Sequence, residues 1–166
     1  MAREEEQMRP FRLATVWLSG CSGCHMSLLN MHQDLLEVLA RCDLVYSPLM
    51  DIKEYPAAVD IALVEGAVAN GENREMALII RQRTGVVISL GDCAVNGNVS
   101  ALRNPEGLAA TLEGSYGETV WNPALNRLEA RVLPLHQVIR VDAFLPGCPP
   151  DPALIRQEIA GRLNGT

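Results

Sequence analysis

Four cysteines carry the chemistry this sequence can offer. Cys21 and Cys24, separated by two residues, stand in "WLSGCSGCHMSLLN", residues 17–30, where an apolar run gives way to a helical pattern. Cys93 lies in "GDCAVNG" and Cys148 in "LPGCPP", each on its own glycine-flanked stretch. Thiolates are soft metal ligands and redox groups. The first pair alone suits a redox disulfide, half of a zinc site, or two corners of an iron–sulfur cluster. The choice rests on where the other thiols come to lie.

Apolar runs that alternate with helical patterns must position them. Residues 12–19, RLATVWLS, are apolar nearly throughout, as a strand covered on both faces is. Leu28, Met31, Leu35 and Leu39 recur at three and four residues and predict one helix running to about Arg41. DLVYSP supplies a second strand, stopped by Pro48. Residues 59–68, VDIALVEGAV, predict a third, and NREMALIIRQR a helix stopped by Gly85. GVVISLG is a fourth strand that delivers Gly91-Asp92-Cys93 at its end. Beyond it NPEGLAATLEG reads as a helix, residues 114–126 as an irregular excursion, and QVIRVDAFLPG as a last strand running into Cys148. The closing DPALIRQEIAGRLNG is a helix with Asp151 as its cap, Pro152 in its first turn and Gly165 past its end.

This alternation predicts an α/β fold: a flavodoxin-like, doubly wound, mainly parallel sheet with helices on both faces. Loops that follow the strands of such a sheet gather on one edge, where ligands bind. Cys21 and Cys24 follow strand one, Cys93 strand four and Cys148 the last strand. Four thiols far apart in sequence are therefore expected at one rim, and four cysteine thiolates are a [4Fe–4S] ligand set. Gly20, Gly23, Gly91 and Gly147 let backbone pass close to a bulky core, with N–H groups aimed at sulfide. Pro149 and Pro150 stiffen the last loop.

Two rival readings stay open at this point. A thioredoxin-like thiol–disulfide oxidoreductase would work through Cys21 and Cys24 alone, leaving Cys93 and Cys148 without a task. A structural zinc module with four cysteine ligands would normally use two close pairs. Cys42, near the end of the first helix, reads as a buried small hydrophobe. His25, beside Cys24, reads as a surface or subunit-contact histidine, with a hydrogen bond to a cluster as the alternative. His32 and His136 have no partner that the sequence names. Met26, Met31 and Leu35 read as packing residues, and Trp17 as one that keeps water from the cysteine loop.

At 166 residues, 48% hydrophobic and 20% charged, the chain suits one globular domain. We read residues 1–10 as a flexible N-terminal arm and 11–166 as a single flavodoxin-like iron–sulfur domain. Aromatics are only 4%, so the core must be built from Leu, Val, Ile, Ala and Met. The net charge of −6 and the lack of a basic stripe argue against nucleic acid as a partner. No apolar stretch is long enough to cross a bilayer, so no membrane association is expected. "MAREEEQMRP" has neither an apolar signal core nor a twin arginine, and a cytoplasmic location is the expectation. Cysteines in a reducing compartment are metal ligands or redox groups sooner than structural disulfides.

Taken together, "WLSGCSGCHMSLL", "VEGAV", "GDCAVNG" and "FLPGCPP" resemble the small subunits of [NiFe] hydrogenases, above all the short form in soluble, bidirectional NAD(P)-linked enzymes. The likeness runs from about Arg12 to Ile159. The related quinone-reductase subunit of respiratory complex I carries adjacent cysteines in the first loop. Here two residues intervene, which favours the hydrogenase branch. The resemblance implies a flavodoxin-like domain holding one proximal [4Fe–4S] cluster beside the Ni–Fe centre of a large partner subunit. Its ligands fall on Cys21, Cys24, Cys93 and Cys148. The family's acidic residue after the third strand falls on Glu65, near the cluster and the subunit interface. Glu65 then tunes the cluster, lies on a proton path, or is a loop carboxylate satisfied by backbone N–H groups.

The resemblance places no other catalytic residue on this chain, since hydrogen chemistry belongs to the partner. Longer relatives add a domain with two more clusters, and five cysteines limit this chain to one. Electrons would leave through iron–sulfur and diaphorase subunits carrying FMN and NAD(P). FMN on this chain itself is not expected, because the loop that would cradle its phosphate is committed to two cysteines. The implied activity is electron transfer within a hydrogen:NAD(P) oxidoreductase.

Overall fold

The computed structural model describes residues 9–117 and 127–165. Their strands are β1 Phe11–Trp17, β2 Cys42–Tyr46, β3 Val59–Glu65, β4 Val68–Asn70, β5 Thr84–Leu90, β6 Leu128–Leu133 and β7 Ala143–Leu145. Their helices are α1 Gly23–Leu29, α2 Gln33–Leu39, α3 Gly71–Arg83, α4 Asp92–Asn96, α5 Leu108–Tyr116 and α6 Pro152–Leu163. Five strands form one parallel sheet in the order β2-β1-β3-β5-β7. Numbered within that sheet alone, this is the flavodoxin-like order. β4 and β6 pair antiparallel in a small second sheet.

Period-two alternation fixes which side chains face which layer of helices. Leu13, Ile61, Leu63, Ile88 and Leu90 point to one face, packed with Leu28 of α1, Val38 of α2, and Ile155 and Ile159 of α6. Ala14, Val16, Ala62, Val64 and Val87 point to the other, against Ala77 and Ile80 of α3. Each fully buried Leu or Ile of these layers contributes roughly 1.5–3 kcal/mol. A one-residue slip would turn every such residue to the wrong layer, so the register is strongly held. That register aligns the strand ends: Trp17 pairs with Glu65, Glu65 with Leu90, and Leu90 with Leu145.

Several local expectations are corrected. The single helix expected to about Arg41 is two, because the chain turns at residues 30–32, where His32 takes φ 52°. The third strand stops at Glu65, not Val68. Gly66 (φ 92°) packs so tightly that a Cβ would lie 2.9 Å from the Ser19 nitrogen, and the chain leaves the sheet there. α3 ends at Arg83 as expected but starts earlier, at Gly71, and Gly85 is not its stop, since Thr84 and Gly85 already belong to β5. QVIRVDAFLPG yields only Ala143–Leu145 as strand, after a 3₁₀ turn at Leu135–Gln137. β6 was not expected at all. Of the excursion read over 114–126, residues 114–116 finish α5 and 118–126 lie outside the described residues.

The arm read over residues 1–10 lies outside the described residues except for Arg9 and Pro10. Arg9 is held, gripping both carboxylate oxygens of Asp60 at 2.7 and 2.8 Å. At the other end, Asp151 caps α6 as expected, its carboxylate accepting the Ala153 N–H. No helix of the described residues is long and apolar enough to cross a membrane.

Candidate metal centre

The aligned strand ends carry the four thiols on short loops. After β1 the chain passes Cys21, turns at Ser22 (φ 66°) and enters α1, with Cys24 in the first turn. The Gly23 N–H points at the Cys21 sulfur, 3.4 Å away. Cys24 is buried and Cys21 exposed. After β5, Gly91 takes φ 80° and lies directly on Cys24: a Cβ there would stand 2.1 Å from the Cys24 Sγ. Cys93 follows in α4, half-buried, and Cys148 follows β7, exposed. The Ser27 hydroxyl of α1 donates to the Pro150 carbonyl at 2.5 Å, tying the first cysteine loop to the last.

Electrostatics report the same convergence. The Cys24 thiol is pushed up to about 12, first by burial, then by the charge of Glu65, then by Cys21, Cys93 and Cys148. All three other candidate ligands thus act on Cys24. Cys42 is not among them. It is buried against α2, its thiol donating to the Val38 carbonyl at 3.1 Å, as its place in the sequence led us to expect.

Glu65, at the end of β3, is 1% exposed, and its Oε2 is bonded twice by one neighbour. Its Oε2 accepts the His25 backbone N–H at 2.9 Å and meets the His25 ring Nδ1 at 2.5 Å. His25 is therefore no surface histidine: it is 5% exposed, and its Nε2 has no hydrogen-bond partner among the described residues. The sequence carries no signal for this pairing, since forty residues separate the two. Trp17 also departs from expectation. It is 47% exposed and lines a surface groove with Tyr46, Pro48 and Met76. His32 and His136 are exposed, and the His136 ring meets Phe144 edge-on with centroids 5.9 Å apart.

Among the described residues, no three His, Cys, Asp or Glu side chains are gathered closely enough to hold one metal ion. A cubane makes a different demand, assigning one thiolate to each of four irons. The site fits such a group. Its donors are four unpaired thiols, and glycines stand where a Cβ would collide with Cys24 at residue 91 and with Pro150 at residue 147.

Residues 21–161, which span every one of these thiols, match the family described as NADH ubiquinone oxidoreductase, 20 Kd subunit. The chain belongs to that family. Within it, the chain is 36% identical over 165 residues to the delta subunit of the NAD-reducing hydrogenase HoxS of Cupriavidus necator, covering 93% of this chain and 79% of that relative. It is 39% identical over 166 residues to a subunit of the F420-non-reducing hydrogenase of Methanothermobacter marburgensis, covering 93% of this chain and 54% of that one. The chain spans about half the length of the F420-non-reducing relatives it matches. Among solved structures, an NAD+-reducing [NiFe]-hydrogenase in the H2-reduced state matches with a TM-score of 0.87 and 35% identity, covering 95% of this chain and 93% of that one. A [NiFeSe]-hydrogenase from Dm. baculatum, at 17% identity and a TM-score of 0.63, shares the fold. The resemblance carried by the cysteine motifs is thus met: the relatives are hydrogenase subunits.

Proposed function

We propose that this chain is the electron-transfer small subunit of a soluble NAD(P)-reducing [NiFe] hydrogenase, holding one [4Fe–4S] cluster on Cys21, Cys24, Cys93 and Cys148. The observation that carries this reading is the meeting of the three thiol-bearing loops, with Gly91 lying directly on Cys24, Ser27 bonded to the Pro150 carbonyl and Asp92 bonded to Gly147. A bound cluster would supply one-electron transfer at this rim. The chain's own residues prepare for it. Burial, Glu65 and the other thiols all oppose a Cys24 thiolate and favour the protonated thiol at neutral pH, an imbalance that a cation such as iron would offset. Gly91 and Gly147 keep the rim free of side chains. Glu65, fixed by His25, sets a negative charge beside the ligands and acts as a tuning carboxylate.

Residues 11–166 would work as a single flavodoxin-like iron–sulfur domain. Likeness to the NAD-reducing relatives supports a large subunit bearing the Ni–Fe centre, where hydrogen would be split, and diaphorase subunits with FMN and NAD(P). The loop after β1 carries two of the four cysteines where such a fold would cradle a flavin phosphate, which supports a chain without flavin of its own. Five unpaired thiols support a reducing, cytoplasmic setting.

Elemental analysis of the complex purified without air tests the reading. Iron and sulfide are expected at about four each per copy of this chain, with a visible spectrum that bleaches on reduction. Zinc in their place, or a metal-free chain that reduces disulfides by itself, overturns it.

A further inference from the structure

Where β5 and β7 end, their pairing continues. β7 is an edge strand of the five-stranded sheet, and its three paired residues finish at Leu145 opposite Leu90. Past that point the Gly91 N–H donates to the Leu145 carbonyl at 2.8 Å and the Asp92 N–H to the Gly147 carbonyl at 2.9 Å. The Asp92 carboxylate then closes a ring, its Oδ1 accepting the Gly147 N–H at 2.7 Å. The next residue in each loop is a thiol, Cys93 on one side and Cys148 on the other. So short an edge strand opens easily, because few bonds oppose the chain entropy it regains. A hydrogen bond from backbone N–H to a carboxylate is among the stronger ones available to stop it.

The rest of β7 does not depend on Asp92. At the other end of the strand, Asp142 donates its N–H to the Val87 carbonyl, and its Oδ2 accepts from Val87 N–H and Arg81. The ring at Asp92 therefore serves the loops beyond the sheet, where Cys24 also lies against Gly91.

We propose that Asp92 is a positioning residue. Its two-way bonding with Gly147 sets the spacing of Cys93 and Cys148 and governs how firmly the chain keeps a [4Fe–4S] cluster. The proposal rests on the cluster assignment above.

The experiment uses the hydrogenase complex purified without air and follows the rate at which a strong iron chelator bleaches the cluster, beside iron content and melting temperature. Asp92→Asn keeps an acceptor oxygen in place and is expected to bleach at the wild-type rate. Asp92→Ala is expected to bleach roughly 10–100-fold faster. Arg81→Met loosens the same strand at its far end and is expected to lower the melting temperature while bleaching as wild type does. The proposal falls if Asp92→Ala bleaches at the wild-type rate, or if Arg81→Met bleaches as fast for the same loss of melting temperature. If Asp92→Ala does not fold, amide exchange at Gly147 in the wild-type complex decides: slow exchange supports the ring, and exchange at the rate of an open loop overturns it. Wild-type complex without iron removes the cluster assignment and this proposal with it. Full iron with an indifferent Asp92→Ala removes the proposal alone.

Discussion

His25 and Glu65 meet twice. Both the backbone N–H and the ring Nδ1 of His25 reach the same carboxylate oxygen, at 2.9 and 2.5 Å, in a place where neither residue is more than 5% exposed. The strand end that carries Glu65 is thereby fastened to the helix that carries Cys24. After burial, the Glu65 charge is the strongest influence raising the Cys24 thiol.

In the metal-free chain, Cys24 is expected to react with an alkylating agent far more slowly than the exposed Cys21 and Cys148. Glu65→Gln removes a negative neighbour, lowers the Cys24 thiol and speeds its alkylation at alkaline pH. Peptide-resolved mass spectrometry reads the rates. A Glu65→Gln chain whose Cys24 reacts no faster would show that this charge does not act on the thiol. Glu65→Ala, which strands the His25 donors, is expected to cost about 2–3 kcal/mol in a denaturant titration.

Cys93→Ser and Cys148→Ser are expected to lower bound iron by at least about tenfold and to abolish hydrogen-linked NAD(P) reduction, leaving diaphorase activity with artificial acceptors intact. Cys42→Ala, away from the rim, should leave iron per chain unchanged. Iron loss in Cys42→Ala equal to that in Cys93→Ser would mean that fold stability, not ligation, sets the metal content.

Gly91→Ala combines two penalties. The position holds φ 80°, and a Cβ would enter the Cys24 sulfur at 2.1 Å. That backbone conformation, with ψ 161°, is essentially reserved for glycine and alone costs on the order of 1–3 kcal/mol, and the overlap adds to it. The variant is expected to lose cluster and to melt several degrees lower, whereas Gly114→Ala, where a Cβ meets nothing, should do neither. Thermal melts of the two side by side check this.

Asp142 gives the fold an acid limit. Burial would raise its carboxyl, but hydrogen bonds from Arg81 and the Val87 N–H, with the charges of Arg81 and Arg140, outweigh burial and hold it below the usual aspartate range. A depressed carboxyl adds stability that is complete above its ordinary value and disappears as pH falls through the lowered one. Asp142→Asn is therefore expected to be less stable than wild type at neutral pH, with the gap closing in strong acid. Urea midpoints measured across that range test the sign, and a constant gap would refute it.

The sheet and the loops that carry Cys21, Cys24, Cys93 and Cys148 were legible in the sequence because the buried parallel strands are mostly apolar, and because each of these four cysteines falls a few residues after one. What stayed hidden depends on contacts between distant residues. His25 looks like any polar residue on a helix until Glu65 is brought beneath it from forty positions away. β6 lacks an apolar run because among the described residues it pairs with β4 alone, and only Val132 of its side chains is buried. The break at His32 goes unseen because the apolar spacing of α1 continues across it into α2. Trp17 is as apolar as its neighbours, yet it is the last residue of its strand and faces outward.

The shared level of the strand ends bears on how the molecule is made. Cys148 follows the last strand, so a chain emerging from the ribosome lacks the last of the four rim thiols until all five strands of the parallel sheet have been synthesised. On the proposed cluster assignment, delivery of iron waits for the completed sheet, which makes maturation a step that follows synthesis of this domain and not a companion to it.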